Sequence, residues 1–228
     1  PQVGGGNIDI TAVNDAPTVS GVPTDVTVTE DTASNFDLSA ITFADVDGDS
    51  LTVTIAASAG TFTASTSGSV TVGGSGTGSL TLQGTAANIN TWLDTASNIK
   101  YTGASNVNGD NVATYTIHAN DGTVNPQVGG GNIDITAVND APTVSGVPTD
   151  VTVTEDTASN FDLSAITFAD VDGDSLTVTI AASAGTFTAS TSGSVTVGGS
   201  GTGSLTLQGT AANINTWLDT ASNIKYTG

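Results

Sequence analysis

The sequence predicts an all-β fold, antiparallel β-sandwiches in tandem with one short helix per module, on three observations. Residues 1–103 recur letter for letter as residues 126–228, a period of 125 residues. Apolar residues alternate with Thr in short runs along the whole chain. Clusters of Gly, Ser, Asn and Asp separate those runs. A period of this length suits one globular domain of about 100–200 residues, and it exceeds the roughly 20–50 residues of a solenoid repeat.

Each strand follows from the alternation. The runs are Asp25–Thr29, Leu51–Ile55, Val70–Val72, Leu80–Leu82, Tyr115–Ile117 and Ile133–Ile135. Period-two apolar residues put one face in a core and leave the Thr face in water. Many short strands with frequent turn signals predict a sandwich. One segment, Thr85–Leu93, breaks the pattern and places Ile89, Trp92 and Leu93 at helical spacing. Thr85 is its expected N-cap. Trp92 is expected to plug the core, with a sugar-stacking platform as the alternative role. The run Gly73–Gly78 has no Lys after it and lies between two strand-like runs, so a hairpin is expected rather than a phosphate loop.

Module boundaries come from Asn14-Asp15-Ala16-Pro17 and its copy at 139–142, because Pro ends a strand and stiffens a linker. Residues 1–15 are expected to be the last strand of a preceding module. Residues 16–140 form a complete module, and 141–228 a second one that stops before its last two strands. Both ends of the chain thus fall inside modules, as in a stretch cut from a longer array.

The charge narrows the function. The chain has 20 Asp, 2 Glu, 2 Lys and no Arg, a net charge of −20. No basic patch exists to displace counterions from phosphates, which excludes nucleic acid. Binding to an anionic membrane surface is disfavoured for the same reason, and no apolar run is long enough to insert. Cys and Met are both absent, so disulfides and thiolate chemistry are excluded. So many Asp with so few cations repel one another in a compact fold. Asp is a common ligand of hard cations, and a divalent metal is the simple counter-charge.

The Asp residues cluster. Asp45, Asp47 and Asp49 stand at i, i+2 and i+4 in a turn, like the first half of an EF-hand loop. The EF-hand itself fails, because its sixth position is Ser50 and its twelfth Ala56. Sandwich loops gather at two ends. That arrangement would bring Asn14, Asp15, Asp45, Asp47 and Asp121 together at one end, and Glu30 with Asp110 at the other.

Two stretches, Val28–Asp31 and Phe43–Ile55, resemble the first half of a cadherin repeat. Ala119–Gly122 and Ile133–Pro142 resemble its end, and Asn108-Gly109-Asp110 sits where that family has Asp-x-Glu. The Asn-Asp-Ala-Pro boundary also resembles the Ig-like repeats of giant bacterial surface adhesins, including RTX-adhesin extender modules. The resemblance implies Greek-key sandwiches with Ca2+ between successive domains. Carried over by motif, Glu30, Asp110, Asn139, Asp140, Asp170 and Asp172 would bind calcium at the internal junction. Asn14, Asp15, Asp45, Asp47 and Asp121 would form the other half-junction. Ala12 and Ala137 stand where the family has a leading linker Asp.

Catalysis is not expected. His118 is the only histidine and falls on the Thr face of its strand. Paired acids serve glycoside hydrolysis, but these cluster with other acids, and each period carries one Trp, too few for an aromatic cleft. The resemblance implies a calcium-stiffened spacer of an exported adhesin, extracellular and at a bacterial cell surface. Its partners would be neighbouring modules of the same chain. A self-assembling filament of further copies and a calcium-dependent glycan binder are the alternatives.

Overall fold

A computed structural model of the chain describes residues 5–228. They divide into two compact units, the first ending at Val138 and the second beginning at Asn139.

Among the described residues, unit 1 holds eleven strands, one α-helix and a short 3-10 turn at Ala96–Asn98. The strands are β1 (Thr18–Ser20), β2 (Asp25–Thr29), β3 (Ser34–Asn35), β4 (Thr42–Ala44), β5 (Ser50–Ala57), β6 (Thr61–Ala64), β7 (Thr71–Gly73), β8 (Ser79–Thr85), β9 (Ile99–Thr102), β10 (Gly109–Asn120) and β11 (Gln127–Thr136), with helix α1 (Ala86–Leu93) between β8 and β9. Six strands form one sheet in the order β2-β11-β10-β5-β8-β7. A three-stranded sheet, β3-β9-β6, and the pair β1-β4 complete the unit.

Every expected alternating run lies in or overlaps a strand. In β5 the burial alternates with the sequence, Leu51, Val53 and Ile55 inward and Thr52 and Thr54 toward water. One pairing departs from the antiparallel expectation. Strand β2 joins β11 in parallel, from Asp25 opposite Asn132 to Thr29 opposite Thr136. The first and last long strands of the unit both run toward the same end, so they can only meet side by side in the same sense.

The core lies between the sheets. Phe36, Phe62 and Tyr101 from the small-sheet side meet Val53, Ile55, Leu80, Leu82, Tyr115 and Ile117 from the large one. The ring of Phe36 stands edge-on to Phe62 at 5.1 Å and to Tyr115 at 5.2 Å. Burying each such side chain contributes about 1.5–3 kcal/mol.

Helix α1 begins as the sequence predicts, with Thr85 Oγ1 accepting the Asn88 N–H at 3.3 Å. It is tied to β4 by Asn90, which accepts the Phe43 N–H at 2.8 Å and donates to the Phe43 carbonyl at 2.9 Å. Trp92 is buried and donates its indole N–H to Ser67 Oγ at 2.8 Å. That burial makes it core and removes it as a stacking platform. The Gly-rich run is the β7–β8 hairpin. Gly74 sits at φ +71°, and a Cβ there would lie 2.0 Å from the Ser79 carbonyl oxygen, so only glycine fits.

Unit 2 repeats this plan as far as its sequence runs. Its strands are β12 (Thr143–Ser145), β13 (Ser159–Asn160), β14 (Thr167–Ala169), β15 (Ser175–Ala181), β16 (Thr186–Ala189), β17 (Thr196–Gly198), β18 (Ser204–Thr210) and β19 (Ile224–Thr227), with helix α2 (Ala211–Leu218). The residues to Gly228 include no copy of β10 or β11. Two local features differ from unit 1. The copy of β2, residues 150–154, forms no strand. Phe161, Val178 and Ile180 are half-buried, whereas their copies Phe36, Val53 and Ile55 are fully buried in unit 1.

Candidate metal centre

Strand order sets the two ends of unit 1. Strand β10 runs from Gly109 to Asn120, so at about 3.4 Å per residue its ends lie roughly 40 Å apart. Asn120 pairs with Thr52 near the start of β5. The loop before β5 therefore lies beside the loop after β10. Glu30, which follows β2, lies with the end of β11 at the opposite pole.

At the first end Asp45, Asp47 and Asp49 converge. One carboxylate oxygen from each lies within 4.8 Å of the others. The turn is held by Asp45 Oδ1, which accepts the Gly48 N–H at 2.9 Å and the Asp49 N–H at 3.2 Å. Gly48 takes φ +77°, a turn conformation that glycine reaches without cost. Asp45 Oδ2 is buried and has no hydrogen-bond partner.

The linker and the β10–β11 loop join this group. Asp15 donates its backbone N–H to Asp47 Oδ2 at 2.7 Å. Asn14 Nδ2 donates to Asp121 Oδ2 at 3.1 Å. Asp121 is 7% exposed, and its Oδ1 accepts the N–H groups of Thr123 and Val124 at 2.7 and 2.8 Å. Hydrogen bonds from Val124 and Thr123, with a smaller contribution from Asn14, hold its carboxyl below the ordinary range, so it stays ionised. The structure thus brings together Asn14, Asp15, Asp45, Asp47 and Asp121, the five residues expected at this end. Asp49 belongs with them.

At the opposite end Glu30 is fully buried. Its carboxylate accepts the Val138 N–H at 2.6 Å and the Asn108 side-chain amide at 3.3 and 3.2 Å. Asp110, expected at this end with Glu30, stands there. That residue is exposed at the start of β10, and the side chain on Glu30 is Asn108, two positions earlier. In unit 2, Asp140 donates its N–H to Asp172 Oδ2 at 2.6 Å, repeating the Asp15–Asp47 contact. Asp170 Oδ1 accepts the Asp174 N–H at 3.0 Å, and Asn139 Nδ2 donates to the Asp140 carbonyl at 3.0 Å.

The donor set fits a hard cation. Calcium takes six to eight oxygens at about 2.3–2.6 Å, so two oxygens on one ion lie at most about 5 Å apart. The Asp45, Asp47 and Asp49 oxygens meet that spacing. Three carboxylates this close repel by about 1 kcal/mol per pair in water, and by about 3.5 at an effective dielectric of 20. Neither lysine offsets that repulsion. Lys100 Nζ donates to Asn35 Oδ1 and Lys225 Nζ to Asn160 Oδ1, both in the small sheets.

Among the described residues, no helix is long and apolar enough to cross a membrane. No curated protein matches the chain. Among solved structures, the C-terminal domain of the AgI/II polypeptide BspA from Streptococcus agalactiae aligns at 10% identity and a TM-score of 0.26, over 92% of this chain and 88% of that one. A second structure, titled BspA_C_WT, aligns at 10% identity and a TM-score of 0.22, over 78% and 73%. The bacterial Ig domain family matches residues 14–85 and 139–226, well over half of the sequence and once in each unit. The chain belongs to the bacterial Ig domain family.

Proposed function

We propose that this chain is a calcium-stiffened spacer, a run of Ig-like modules in an exported bacterial surface protein that carries a distal binding region away from the cell. The supporting observation is the convergence of Asp45, Asp47 and Asp49 with a buried, unpartnered Asp45 Oδ2, beside the hydrogen-bonded set of Asn14, Asp15 and Asp121. Bound calcium supplies the positive charge that this end of the unit lacks. Asp45, Asp47 and Asp49 would hold it, and Asp15 and Asn14 would tie the linker to the same group. Glu30, Asp110, Asn139, Asp140, Asp170 and Asp172 are assigned to the corresponding role at the linker between the units. This makes each linker a calcium-dependent joint of the cadherin type and relates the chain to adhesin extender modules. Extracellular modules of this kind bind calcium at about 10⁻⁴–10⁻³ M, which suits a cell-surface location.

Melting and small-angle scattering with calcium and with chelator test the proposal. Calcium at 100 times its dissociation constant is expected to add about 2.7 kcal/mol of stability. The maximum dimension should also become fixed rather than averaged. An unchanged midpoint and an unchanged maximum dimension would rule out the joint.

A further inference from the structure

We propose that Asn108 is a site of self-modification, which loses ammonia through a cyclic imide with Gly109 and is hydrolysed to aspartate or isoaspartate, breaking its bond to Glu30. The conversion needs no metal and stands apart from the calcium joint.

The sequence singles out this position. Asn-Gly occurs once, at Asn108-Gly109. Every other asparagine is followed by a residue with a Cβ, which crowds the approach of the next backbone nitrogen to the side-chain amide carbon. Asp-Gly pairs stand at 47–48, 121–122 and 172–173. An ionised carboxylate is a poor electrophile, so the amide of Asn108 reacts before any of them.

The structure leaves the two residues room to react. Residues 104–111 are all exposed, and Asn108 ends the loop that precedes β10, outside any strand. The pairing of β10 with β11 shifts register between Gly109 and Ala113, so no continuous ladder holds the backbone there. Gly109 takes φ +128°, a conformation that side chains rarely adopt, which gives glycine a structural reason to stand at this point.

The step balances with water as the one co-reactant. The backbone nitrogen of Gly109 bonds to Cγ of Asn108. The Cγ–Nδ2 bond breaks, and the proton given up by the Gly109 N–H leaves with Nδ2 as ammonia. Water then opens the five-membered imide at one of its two carbonyls. Opening at Cγ gives aspartate, and opening at the main-chain carbonyl gives isoaspartate. Nothing is oxidised or reduced.

The nitrogen that leaves is the one that Glu30 holds. Asn108 Nδ2 donates to the two carboxylate oxygens of Glu30 at 3.3 and 3.2 Å. Glu30 is fully buried and would keep the Val138 N–H at 2.6 Å, but a second carboxylate would face it where the amide stood. Like charges in such contact disfavour each other. Isoaspartate also lengthens the main chain at the entry to β10. Either product unties the end of β2 from the loop before β10. Water does not restore the amide, so the converted fraction grows with the age of the chain. On the calcium reading the new carboxylate adds a ligand at this end. That consequence rests on the proposed joint, whereas the conversion does not.

Peptide mass mapping of the full chain, kept folded in mildly alkaline buffer with chelator, tests the proposal. The expected result is a gain of one mass unit at Asn108, ahead of every other asparagine and faster as pH rises. In the Asn108→Gln variant, whose longer side chain disfavours the imide, the gain should vanish. The converted fraction carries one more negative charge and is separable by anion exchange. It should melt below the unconverted chain, in the direction of the Asn108→Asp variant. An Asn108 that stays intact in the folded chain but converts in urea overturns the proposal, because the fold then protects it. A gain that persists in Asn108→Gln, or that appears first at another asparagine, assigns the chemistry elsewhere and overturns it too. A converted fraction that melts with the parent overturns the link to Glu30.

Discussion

The buried carboxylate of Glu30 accepts the backbone N–H of Val138 at 2.6 Å, and so joins the end of β2 to the chain that leaves β11. Asn108 completes its shell. Glu30→Gln keeps the size but turns one acceptor into a donor facing other donors. A hydrogen bond to a charged group contributes about 1.5–3 kcal/mol, and the loss should fall in that range. The copy at Glu155 is exposed, so Glu155→Gln should stay within about 0.5 kcal/mol of the parent. Urea unfolding of the two variants side by side checks the contrast. Equal losses would mean that burial of Glu30 contributes nothing.

Residue patterns made part of this architecture legible. The alternation around Val53 and Tyr115 gave strand faces, and the helical spacing of Ile89, Trp92 and Leu93 with Thr85 before them gave α1. Asp45, Asp47 and Asp121 could be grouped because sandwich loops meet at shared ends. Alternation gives faces but not partners, which is why the parallel pairing of β2 with β11 was not readable. The motif Asn108-Gly109-Asp110 was legible beside Glu30, but the resemblance assigned the ligand role to Asp110, so the contact made by Asn108 was not. Its side-chain direction depends on the backbone at Gly109, which takes φ +128°. The signal available was position alone, at the entry to the strand beside Glu30.

Tyr115 predicts an alkaline limit. Its hydroxyl donates to the Pro23 carbonyl at 2.6 Å. Burial, with a contribution from Asp25, pushes its pKa up from 10.0 to about 12. The folded state keeps the proton that the unfolded chain gives up near pH 10. Stability contributed this way is fully present below pH 10 and is lost as pH rises from 10 toward about 12. Tyr115→Phe should flatten the profile in that window while costing about 0.5–1.5 kcal/mol at neutral pH for the lost bond. Melting points of both proteins from pH 8 to 12 provide the check. Parallel profiles would assign the alkaline loss to other groups.

Asn90 predicts a large effect from a small residue. It satisfies both the N–H and the carbonyl of Phe43, a residue of β4 that is 2% exposed. Asn90→Ala strands two shielded backbone groups, at about 1–3 kcal/mol each. Asn90→Asp keeps the acceptor and removes the donor, so it should fall between Ala and the parent. Calorimetry of the three proteins orders them. An Asn90→Ala midpoint equal to that of the parent would mean that water replaces both bonds.

Asn108→Asp separates the calcium reading of the Glu30 end from a purely structural one. Asn108 donates to both oxygens of a buried carboxylate. An aspartate there removes the donor and sets a second negative charge against the first. In chelator the variant should lose about 2–4 kcal/mol, the lost charge-assisted bond plus the repulsion. A second carboxylate beside Glu30 is a better calcium ligand than a neutral amide oxygen. If Glu30 helps to hold the ion, millimolar calcium should restore most of that loss and bind the variant more tightly than the parent. Titration calorimetry and melting curves read the two effects separately. A deficit that is the same with calcium and with chelator would remove the ion from Glu30 and leave, among the described residues of unit 1, the acidic loop at Asp45–Asp49 as its place.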